Sequence, residues 1–341
     1  MATNKNFTMR QYNGTDYDVL YPKSTSQQIL LNDSTLASNL GLSGANPTVN
    51  DALYNVGAAE VVVYTIANSV LTATLGSTVI TVTAGSSGNA IFKLASYGTW
   101  TISNTTTGGS VTVDIDTLKR YTITLQGLDA YSWAKISEIS LAGNASTVFS
   151  IGDTKTVTID NLSYQVQIIG FNHDTKSSGG TAGITFQFKW CYNTSYYMNS
   201  SNTNSGGWGN SYMRGTVMPL ILDKLPSDLQ NVIIPVVKKT SAGSQSSTIN
   251  NTTDSLWLLS EIEIFGTTSY SKAGEGSQYA YYSAGNSRVK YKQNAQSTAV
   301  YWWERSPSAS NSAAFCLVST DGSAGATIAS NANGVAPGFC V

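Results

Sequence analysis

Charged residues are scarce in this sequence. Only 11% of its 341 residues are Asp, Glu, Lys or Arg, against roughly 25% in ordinary globular domains. The formal net charge is −1, so the chain lacks the basic field that attracts nucleic acid or an acidic membrane surface. The composition therefore argues against nucleic-acid binding and predicts a surface made soluble by uncharged Ser, Thr, Asn and Gly.

Cysteines and long apolar runs are also few. Cys191, Cys316 and Cys340 do not make a disulfide framework, and no apolar run approaches the ~20 residues that span a bilayer. The opening residues MATNKNFTMRQYNGT lack the basic and apolar regions of a secretory signal. We therefore expect no membrane insertion, and we expect synthesis and assembly in a reducing cytoplasm.

Strand-forming and turn-forming residues are abundant instead, including 19 Tyr and 30 Gly. Such a composition predicts a mainly β fold with some α structure. The length predicts two or three domains, which we place at residues 1–57, 58–128 and 129–341. The first segment carries a hairpin signal at Asn13-Gly14 and helix starts near Asp33 and Thr48. We interpret it as an attachment or oligomerisation segment, with a disordered lead-in as the alternative.

The second segment predicts an immunoglobulin-like β-sandwich that serves as a rigid spacer. Seven short runs follow one another at 8–12-residue spacing, as in small sandwiches: EVVVYTI, SVLTATLG, STVITVTA, NAIFKLA, GTWTISN, SVTVDID and RYTITLQ. The strand GTWTIS followed by a VTVDI-type strand resembles those of carboxypeptidase-regulatory spacers as well as immunoglobulin-like ones. We expect Trp100 to fill the core between the sheets.

The third segment mixes helices and strands. We predict a helix that begins after Ser132, its N-cap, and ends at Gly143. A hairpin around Asp160-Asn161 follows. TAGITFQFKWCY indicates a buried strand, NSYMRGTVMPLILDKLP and PSDLQNVI indicate helices, and VIIPVVKKTSAG and LWLLSEIEIFG indicate strands.

The last stretch, Val300–Val341, predicts a β-meander of AAFCLVS, AGATIAS and VAPGFCV joined by TDGS and NANG turns. Small polar loops on a firm frame are typical of a binding face. We expect aromatic side chains of the long loop near residue 208 to contribute, because Tyr and Trp suit both protein interfaces and sugar stacking. The predicted ligand-binding residues are Ser308, Ser310, Asn311, Ser312, Ser319, Asp321, Ser323, Ser330, Asn331, Asn333, Trp208 and Tyr212.

Several motifs occur in the order found in a domain common at the C-termini of phage tail and minor structural proteins. They are WAKISEISLAGNASTVFSIGDTKTV, QIIGFNHD, WGNSYMR, LWLLSEIEIFG, YWWERSP and GVAPGFCV. Residues 130–341 resemble this domain, whose fold is similar to that of C-type lectins. The leading NGTDYDVLYPKSTSQQILLND is similar to N-terminal pieces of tail fibres in phages of Gram-positive bacteria.

The resemblance implies a non-enzymatic receptor-binding protein of the phage tail, located in the virion. Its implied partners are a host-surface protein or glycan and, through the N-terminal segment, other tail proteins; a homotrimer is also implied. The segment with Trp302, Trp303, Arg305 and Pro307 would frame the binding face. Similar domains are sometimes diversified by retroelements at the 3′ end of the gene, and the variable sites are rich in the small polar residues of this meander.

Known ligand-binding and catalytic sites need particular residue types, and on this basis we expect neither a metal nor a cofactor. The Glu-Pro-Asn and Trp-Asn-Asp motifs of calcium-dependent lectins are missing, and calcium needs several oxygen ligands. A surface-glycan hydrolase would need two carboxylates across a cleft, with candidates Glu261, Glu263, Glu304 and Asp321. We expect Glu261 and Glu263 to lie two residues apart on one strand, where they share a strand face. A purely architectural tail protein is the other alternative.

Two further groups have a structural interpretation and a chemical one. A related enzyme branch of the resembled fold uses a copper-binding cysteine pair, for which Cys316 and Cys340 are the candidates. We expect both to be buried as small hydrophobic residues, as free cysteines commonly are. For His173, the only histidine, we expect a loop hydrogen bond with Asp174 rather than a catalytic role.

Overall fold

A computed structural model describes residues 9–12, 17–20, 58–116 and 120–341. The predicted attachment segment therefore lies largely outside the described residues, as do the helix starts at Asp33 and Thr48. The predicted N-terminal hairpin is confirmed, because Met9–Tyr12 (β1) pairs antiparallel with Tyr17–Leu20 (β2).

Strands outnumber helices in the described residues, so the predicted mainly β fold with some α structure is confirmed. The further strands are Ala59–Tyr64 (β3), Val70–Leu75 (β4), Thr78–Thr83 (β5), Asn89–Leu94 (β6), Gly98–Asn104 (β7), Ser110–Ile115 (β8), Arg120–Thr124 (β9), Thr154–Ile159 (β10), Leu162–Phe171 (β11), Ile184–Phe188 (β12), Val236–Ser241 (β13), Ile249–Asp254 (β14), Lys290–Lys292 (β15), Ala295–Val300 (β16), Trp302–Pro307 (β17), Ala314–Val318 (β18), Ala324–Ile328 (β19) and Gly338–Cys340 (β20). The α-helices are Trp133–Leu141 (α1), Ala145–Val148 (α2), Met218–Leu222 (α3), Ser227–Gln230 (α4), Glu261–Phe265 (α5) and Ala280–Ser283 (α6). Gly127–Ala130 and Trp208–Asn210 are 3-10 turns, and Met213–Val217 is a π-helical turn that runs into α3. In the part of the chain that is described, no helix is both long and apolar enough to cross a bilayer.

The described chain divides into two compact units. One contains the residues up to Ile102 together with Thr112–Thr124, and the other contains Ser103–Val111 together with Leu125–Val341. We call the first the sandwich, for its strands β3–β9, and the second the C-terminal unit.

The sandwich has one sheet in the order β6-β3-β9 and another in the order β5-β4-β7-β8. All seven predicted strands are present, and Trp100 is buried in the core as expected, with 1% of its surface exposed. Burial alternates along β6 and β7, because successive side chains of a strand point to opposite faces. Lettered A to G along the chain, the strands give the sheet orders D-A-G and C-B-E-F, with A and G parallel. Immunoglobulin domains have the orders A-B-E-D and C-F-G instead, so the predicted immunoglobulin-like arrangement is wrong for these strands, although the two packed sheets are those of a β-sandwich.

The C-terminal unit is built around a four-stranded antiparallel sheet, β10-β11-β12-β20. The hairpin between β10 and β11 is the predicted one, since Asp160 and Asn161 both have positive φ. Every residue of β12 is buried, as expected for TAGITFQFKWCY. Helix α1 begins at the predicted cap, where the Ser132 side chain accepts from the Lys135 N–H at 3.2 Å.

Two sequence predictions in this unit are wrong. The run LWLLSEIEIFG is no strand, because Ser260 and Glu263 form a reciprocal capping box that starts α5. The strand β20, predicted as the third strand of the meander, pairs with β12 and does not belong to the sheet β17-β18-β19. The NANG segment is therefore no hairpin turn: a Cβ on Gly334 would lie 2.7 Å from Cys191 Sγ, so this glycine permits close packing.

Candidate functional site

A buried network of four charged side chains lies under the loops of the C-terminal unit. Lys238 Nζ is 2.7 Å from both Asp174 Oδ1 and Glu263 Oε1, and Glu263 also receives two hydrogen bonds from Arg305. Arg305 is fully buried and donates further to the carbonyls of Leu258 and Glu275, at 3.0 and 2.7 Å. Buried charges are tolerated when paired and hydrogen-bonded, and two cations here face two anions.

The pKa values of the two acids in the network and of Glu275 beside it are shifted in opposite directions. Burial by itself raises the pKa of Glu263, but Arg305 and Lys238 outweigh it and hold the pKa below its usual range. Lys238 does the same for Asp174 against burial, helped by a hydrogen bond from Thr185. Burial raises the pKa of Glu275 to about 7, although Ser306 Oγ and the Ser241 N–H donate to it. Two carboxylates of the network are thus firmly ionised beside one that titrates near neutrality.

Above this network, one side chain holds the terminal loops in place. The buried Asn204 amide donates to the carbonyls of Asn311 and Ala314 at 3.0 and 2.8 Å, and its oxygen accepts from the Ser244 N–H at 2.7 Å. Its backbone N–H donates to the Ser312 carbonyl at 2.8 Å. We name residues 196–214 the hub loop, because it organises its neighbours in this way.

The hub loop also binds the segment that follows β19. Ser330 Oγ donates to Asn202, and the N–H groups of Met198 and Asn199 lie 2.9 and 3.1 Å from the Ala329 carbonyl. Tyr196 forms an isolated bridge with Asn333. These contacts bring one group of predicted binding residues to a single rim at one end of β18 and β19. The members of this rim are Ser310, Asn311, Ser312, Ser330, Asn331 and Asn333.

Most of the rim is accessible, and the hub loop beside it carries the predicted aromatic residue Tyr212. Asn311, Ser312 and Asn331 are exposed, whereas Ser330 is half-buried. Tyr212 is 37% exposed, and its ring lies 4.8 Å from that of Tyr197. The Asn199 side chain accepts from the Tyr212 N–H at 2.9 Å, so this tyrosine is attached to the hub loop.

The remaining predicted residues do not belong to this rim. Ser319, Asp321 and Ser323 form the turn between β18 and β19, at the opposite end of that hairpin. Five residues of strand separate the two ends, about 17 Å at 3.4 Å per residue. Because the two ends of this hairpin are so far apart, a single binding face cannot include both the rim and the turn between β18 and β19.

Two predicted contacts are wrong because the residues are buried. Trp208 has no exposed surface, and its indole N–H donates to Asp254 at 3.0 Å in the interior. Ser308 is 2% exposed and lies beneath the rim. In this glycine-rich loop Trp208 packs into the core. Tyr212, four residues later, is the accessible aromatic side chain.

A polar groove of about 520 Å³ adjoins the hub loop. Its lining includes the side chains of Asn210, Asn250, Asn251 and Thr252, with Arg214 at one side. Arg214 is tied to Asp254 at 2.6 Å, which fixes its position. Sequence reasoning missed this groove, because its two sides come from segments about forty residues apart.

The four acids predicted as candidates for a glycan hydrolase lie in different surroundings. Glu261, Glu263 and Glu304 are buried, and burial with neighbouring Glu261 raises the pKa of Glu304 well above its usual range. Asp321 is exposed in the far turn. Glu261 and Glu263 lie in the first turn of α5 rather than on a strand. These four acids supply no pair that lines one described cleft.

The cysteines are buried, as expected. Cys191, Cys316 and Cys340 are free thiols with no exposed surface, and burial raises the pKa of all three. Cys316 lies on β18 and Cys340 on β20, which belong to different sheets. Among the residues that the structure describes, no group of three or more acidic, cysteine or histidine side chains is arranged to hold a metal ion.

A second cleft, of about 550 Å³, contains the histidine and the edge of the charged network. His173 Nε2 lies 3.2 Å from Ser277 Oγ and 3.1 Å from the Ser277 carbonyl oxygen. His173 Nδ1 lies 3.8 Å from Asp174 Oδ1, which is longer than a hydrogen bond, so the predicted bond between these side chains is wrong. Ser277 is 104 positions from His173, and no local signal in the sequence connects them.

Comparisons with known proteins give one family match. The model of a domain of unknown function (DUF6273) matches residues 187–341, which include the hub loop, the rim and Ser277. No curated protein matches the chain.

Two solved structures are distantly similar, both of DUF3823 family proteins. The one from Parabacteroides merdae is 12% identical over 38% of this chain and 56% of its own length, with a TM-score of 0.18. The one from Bacteroides ovatus is 10% identical over 42% of this chain and 65% of its own length, with a TM-score of 0.17. The chain thus spans less than two thirds of either protein, and at these TM-scores neither likeness bears on fold or function.

Proposed function

We propose that this protein is a receptor-binding protein of a phage tail and that the rim beside the hub loop recognises a ligand on the host surface. The observation that carries the proposal is the way Asn204 fixes the rim. A buried amide holds two loops from below, while the residues above it present uncharged side chains to solvent. Loops positioned by a rigid scaffold are the usual place for binding residues.

The composition of this surface favours a polar, uncharged ligand such as a glycan or a neutral protein loop. The rim offers amide and hydroxyl groups, Tyr212 offers a ring with a polar tip, and the groove adds further amides. Amides and hydroxyls donate and accept hydrogen bonds, and exposed aromatic rings add stacking area at low entropic cost. No net charge is needed for such recognition.

The proposed location in a tail rests on the resemblance of the sequence motifs. In that setting the N-terminal segment would attach the protein to other tail proteins, and three copies would present three rims. Weak sites gain avidity when several act together, without any new contact. Light scattering that gives the mass of one chain would refute the trimer and leave the rim to be tested separately.

The rim is tested by adding charge to it. We expect Ser312→Arg and Asn331→Arg to weaken binding of the full-length chain to host cells by at least about tenfold, because each places a bulky cation on a neutral contact surface. Ser323→Arg is the matched control, since Ser323 is exposed at the opposite end of the hairpin. Binding is measured by flow cytometry with fluorescent protein, presented on tetrameric streptavidin, over a panel of Gram-positive strains.

Two outcomes would contradict the proposal. A chain that binds no strain when presented multivalently would favour the architectural alternative. A chain that binds, but loses as much affinity through Ser323→Arg as through Asn331→Arg, would place recognition elsewhere on the molecule.

A further inference from the structure

The second cleft contains a serine, a histidine and an aspartate with graded accessibility. Ser277 is exposed, the His173 side chain is 17% exposed and the Asp174 side chain is 3% exposed. From this arrangement we propose that Ser277 is a nucleophile, that His173 is its general base, and that the cleft hydrolyses carboxylic esters. Neither the rim nor the groove takes part, so this activity is separate from the recognition proposed above.

The first observation is the contact between nucleophile and base. Ser277 Oγ lies 3.2 Å from His173 Nε2, at the limit of hydrogen-bond reach. Such bonds are often long before substrate binds. The loop that carries Ser277 sits close against the charged network, since a Cβ on Gly276 would lie 3.0 Å from Glu263 Oε1. Glycine at 276, with φ of +130°, allows that approach.

The second observation concerns the proton on the imidazole. Nδ1 is buried without a hydrogen-bond partner, and the nearest carboxylate oxygen is Asp174 Oδ1 at 3.8 Å. A proton on Nδ1 would face the Asp174 carboxylate, whereas a proton on Nε2 would face the Ser277 carbonyl oxygen at 3.1 Å. The proposed base is the first of these two tautomers. That tautomer leaves the Nε2 lone pair to accept from Ser277 Oγ.

Asp174 is held rigidly for this positioning role. Thr185 Oγ1 and Tyr279 Oη donate to its carboxylate, and Lys238 Nζ lies 2.7 Å from it. The Tyr279 ring lies against the imidazole at 4.0 Å between centroids, tilted by 33°. When Nε2 takes a proton, it can donate to the Ser277 carbonyl at 3.1 Å, which stabilises the imidazolium together with Asp174.

The third observation is room for substrate and donors for an oxyanion. The cleft measures about 550 Å³, within the range of small-molecule sites. In the described part of the chain, the backbone N–H groups of Gly276 and Ser277 donate to no backbone carbonyl. Free backbone N–H groups beside a nucleophile are the usual stabilisers of a tetrahedral oxyanion.

The reaction balances without any further reagent. Ser277 Oγ bonds to the ester carbon while its proton moves to His173 Nε2. The carbon–oxygen bond to the alcohol then breaks, and the alcohol leaves with that proton. Water, deprotonated by His173, releases the acyl group as a carboxylic acid and restores the serine.

The test uses the full-length chain, a fluorophosphonate probe and p-nitrophenyl acetate. We expect the intact mass to rise by one phosphonyl group per chain, with the modified peptide containing Ser277. We expect Ser277→Ala and His173→Gln to abolish labelling and to lower ester hydrolysis by about 10²-fold or more. Ser283→Ala is the matched control, because Ser283 is also an exposed serine and its hydroxyl donates only to Ala280 O within its own helix.

The wild-type labelling result decides the matter without relying on how any variant folds. A folded chain that acquires no phosphonyl group, or acquires it on another residue, overturns the proposal. Labelling of Ser277 that persists at the same rate in a folded His173→Gln variant overturns the role of His173 as base.

Discussion

The sandwich and the C-terminal unit solve the problem of a core in different ways. In the sandwich, residues such as Phe92, Trp100 and Ile102 fill the interior from alternating strand positions. In the C-terminal unit, an apolar core surrounds buried charges, with Arg305 and Glu263 almost without exposed surface. A core of the first kind depends on area removed from water, whereas the second also depends on every partner being present.

This difference teaches that the two units should fail in different ways. Truncating an apolar side chain costs what its transfer and the resulting cavity cost. Removing one charge from a closed network leaves its partner buried and unpaired, which is costly although the intact network need not be strongly stabilising. The same buried network also supports the loops that carry the proposed sites.

The largest effect is expected from Arg305→Leu. It leaves Glu263 with Lys238 as its one remaining cation in the network and removes a hydrogen-bond donor from the Lys239, Leu258 and Glu275 carbonyls, at a cost of about 4–5 kcal/mol. Hydrogen exchange by mass spectrometry should accelerate in peptides of β11 and β17 and stay unchanged in β3 and β7. Arg120→Leu removes an exposed pair with Glu60 and should cost less than about 1 kcal/mol. Equal costs at the two positions would contradict the comparison.

Trp100→Ala should produce the converse pattern, at about 3–4 kcal/mol. The loss is mainly one of packing, because the indole makes a single hydrogen bond, to the Ser96 carbonyl at 2.9 Å. Exchange should accelerate in β3 and β7 while β11 and β17 remain protected. Tyr97→Ala, at a side chain 62% exposed, serves as control and should change stability by about 0.5 kcal/mol or less.

The pH dependence of stability should separate the units further. The folded pKa of Glu275 is about 7, above its ordinary value near 4.3, so the unfolded chain loses this proton first as pH rises. Unfolding is therefore favoured progressively between about pH 4.5 and 7, and the C-terminal unit should lose about 3 kcal/mol over that range from this group. In urea titrations at each pH, Glu275→Gln should reduce the slope by this amount and leave the part that comes from Glu304, whose pKa is also raised. Glu138→Gln, at an exposed helix position, should leave the whole slope unchanged.

The smallest changes in the free energy of unfolding should be alike in both units, because they come from the backbone conformation of single turn residues. Asn68 in the sandwich and Asn161 in the C-terminal unit both have φ near +60°. Replacing either by Ala should cost about 1 kcal/mol, since Ala lacks the short polar side chain whose local hydrogen bonds let Asn tolerate the left-handed region. Matching Gly variants should remain within about 0.5 kcal/mol of the wild type by urea unfolding. Unequal Ala penalties would mean that tertiary contacts, and not backbone preference, set these turns.

The elements that sequence predicted well are those with local signals. The seven sandwich strands alternate and end at turn residues, and helix α1 begins at a serine cap. The run that includes Leu258 and Phe265 predicts a strand, because it is apolar and contains branched residues. Ser260 and Glu263 carried the correct signal, since a serine followed three residues later by glutamate marks a helix start.

The candidate sites were less predictable, because they join distant segments. Sequence placed the small polar loops correctly in the frame of β17–β19, but could not tell which end of the hairpin each loop occupies. It also could not tell that Trp208 is covered by the packing of its own loop. Ser277 and His173 meet across 104 positions, a distance over which neither periodicity nor turn chemistry carries information.

The last strand has a consequence for how the protein is made. β20 pairs with β12, the Val341 N–H donates to the Ile184 carbonyl at 3.1 Å, and Ser140 Oγ donates to the Val341 carbonyl across 201 positions. A nascent chain therefore carries β12 with an open edge during all the time the ribosome needs to add residues 189 to 337. Unpaired strand edges invite pairing with other chains, and contacts so distant in sequence form slowly. Synthesis of this protein should accordingly depend on chaperones that shield β12 until β20 emerges from the ribosome.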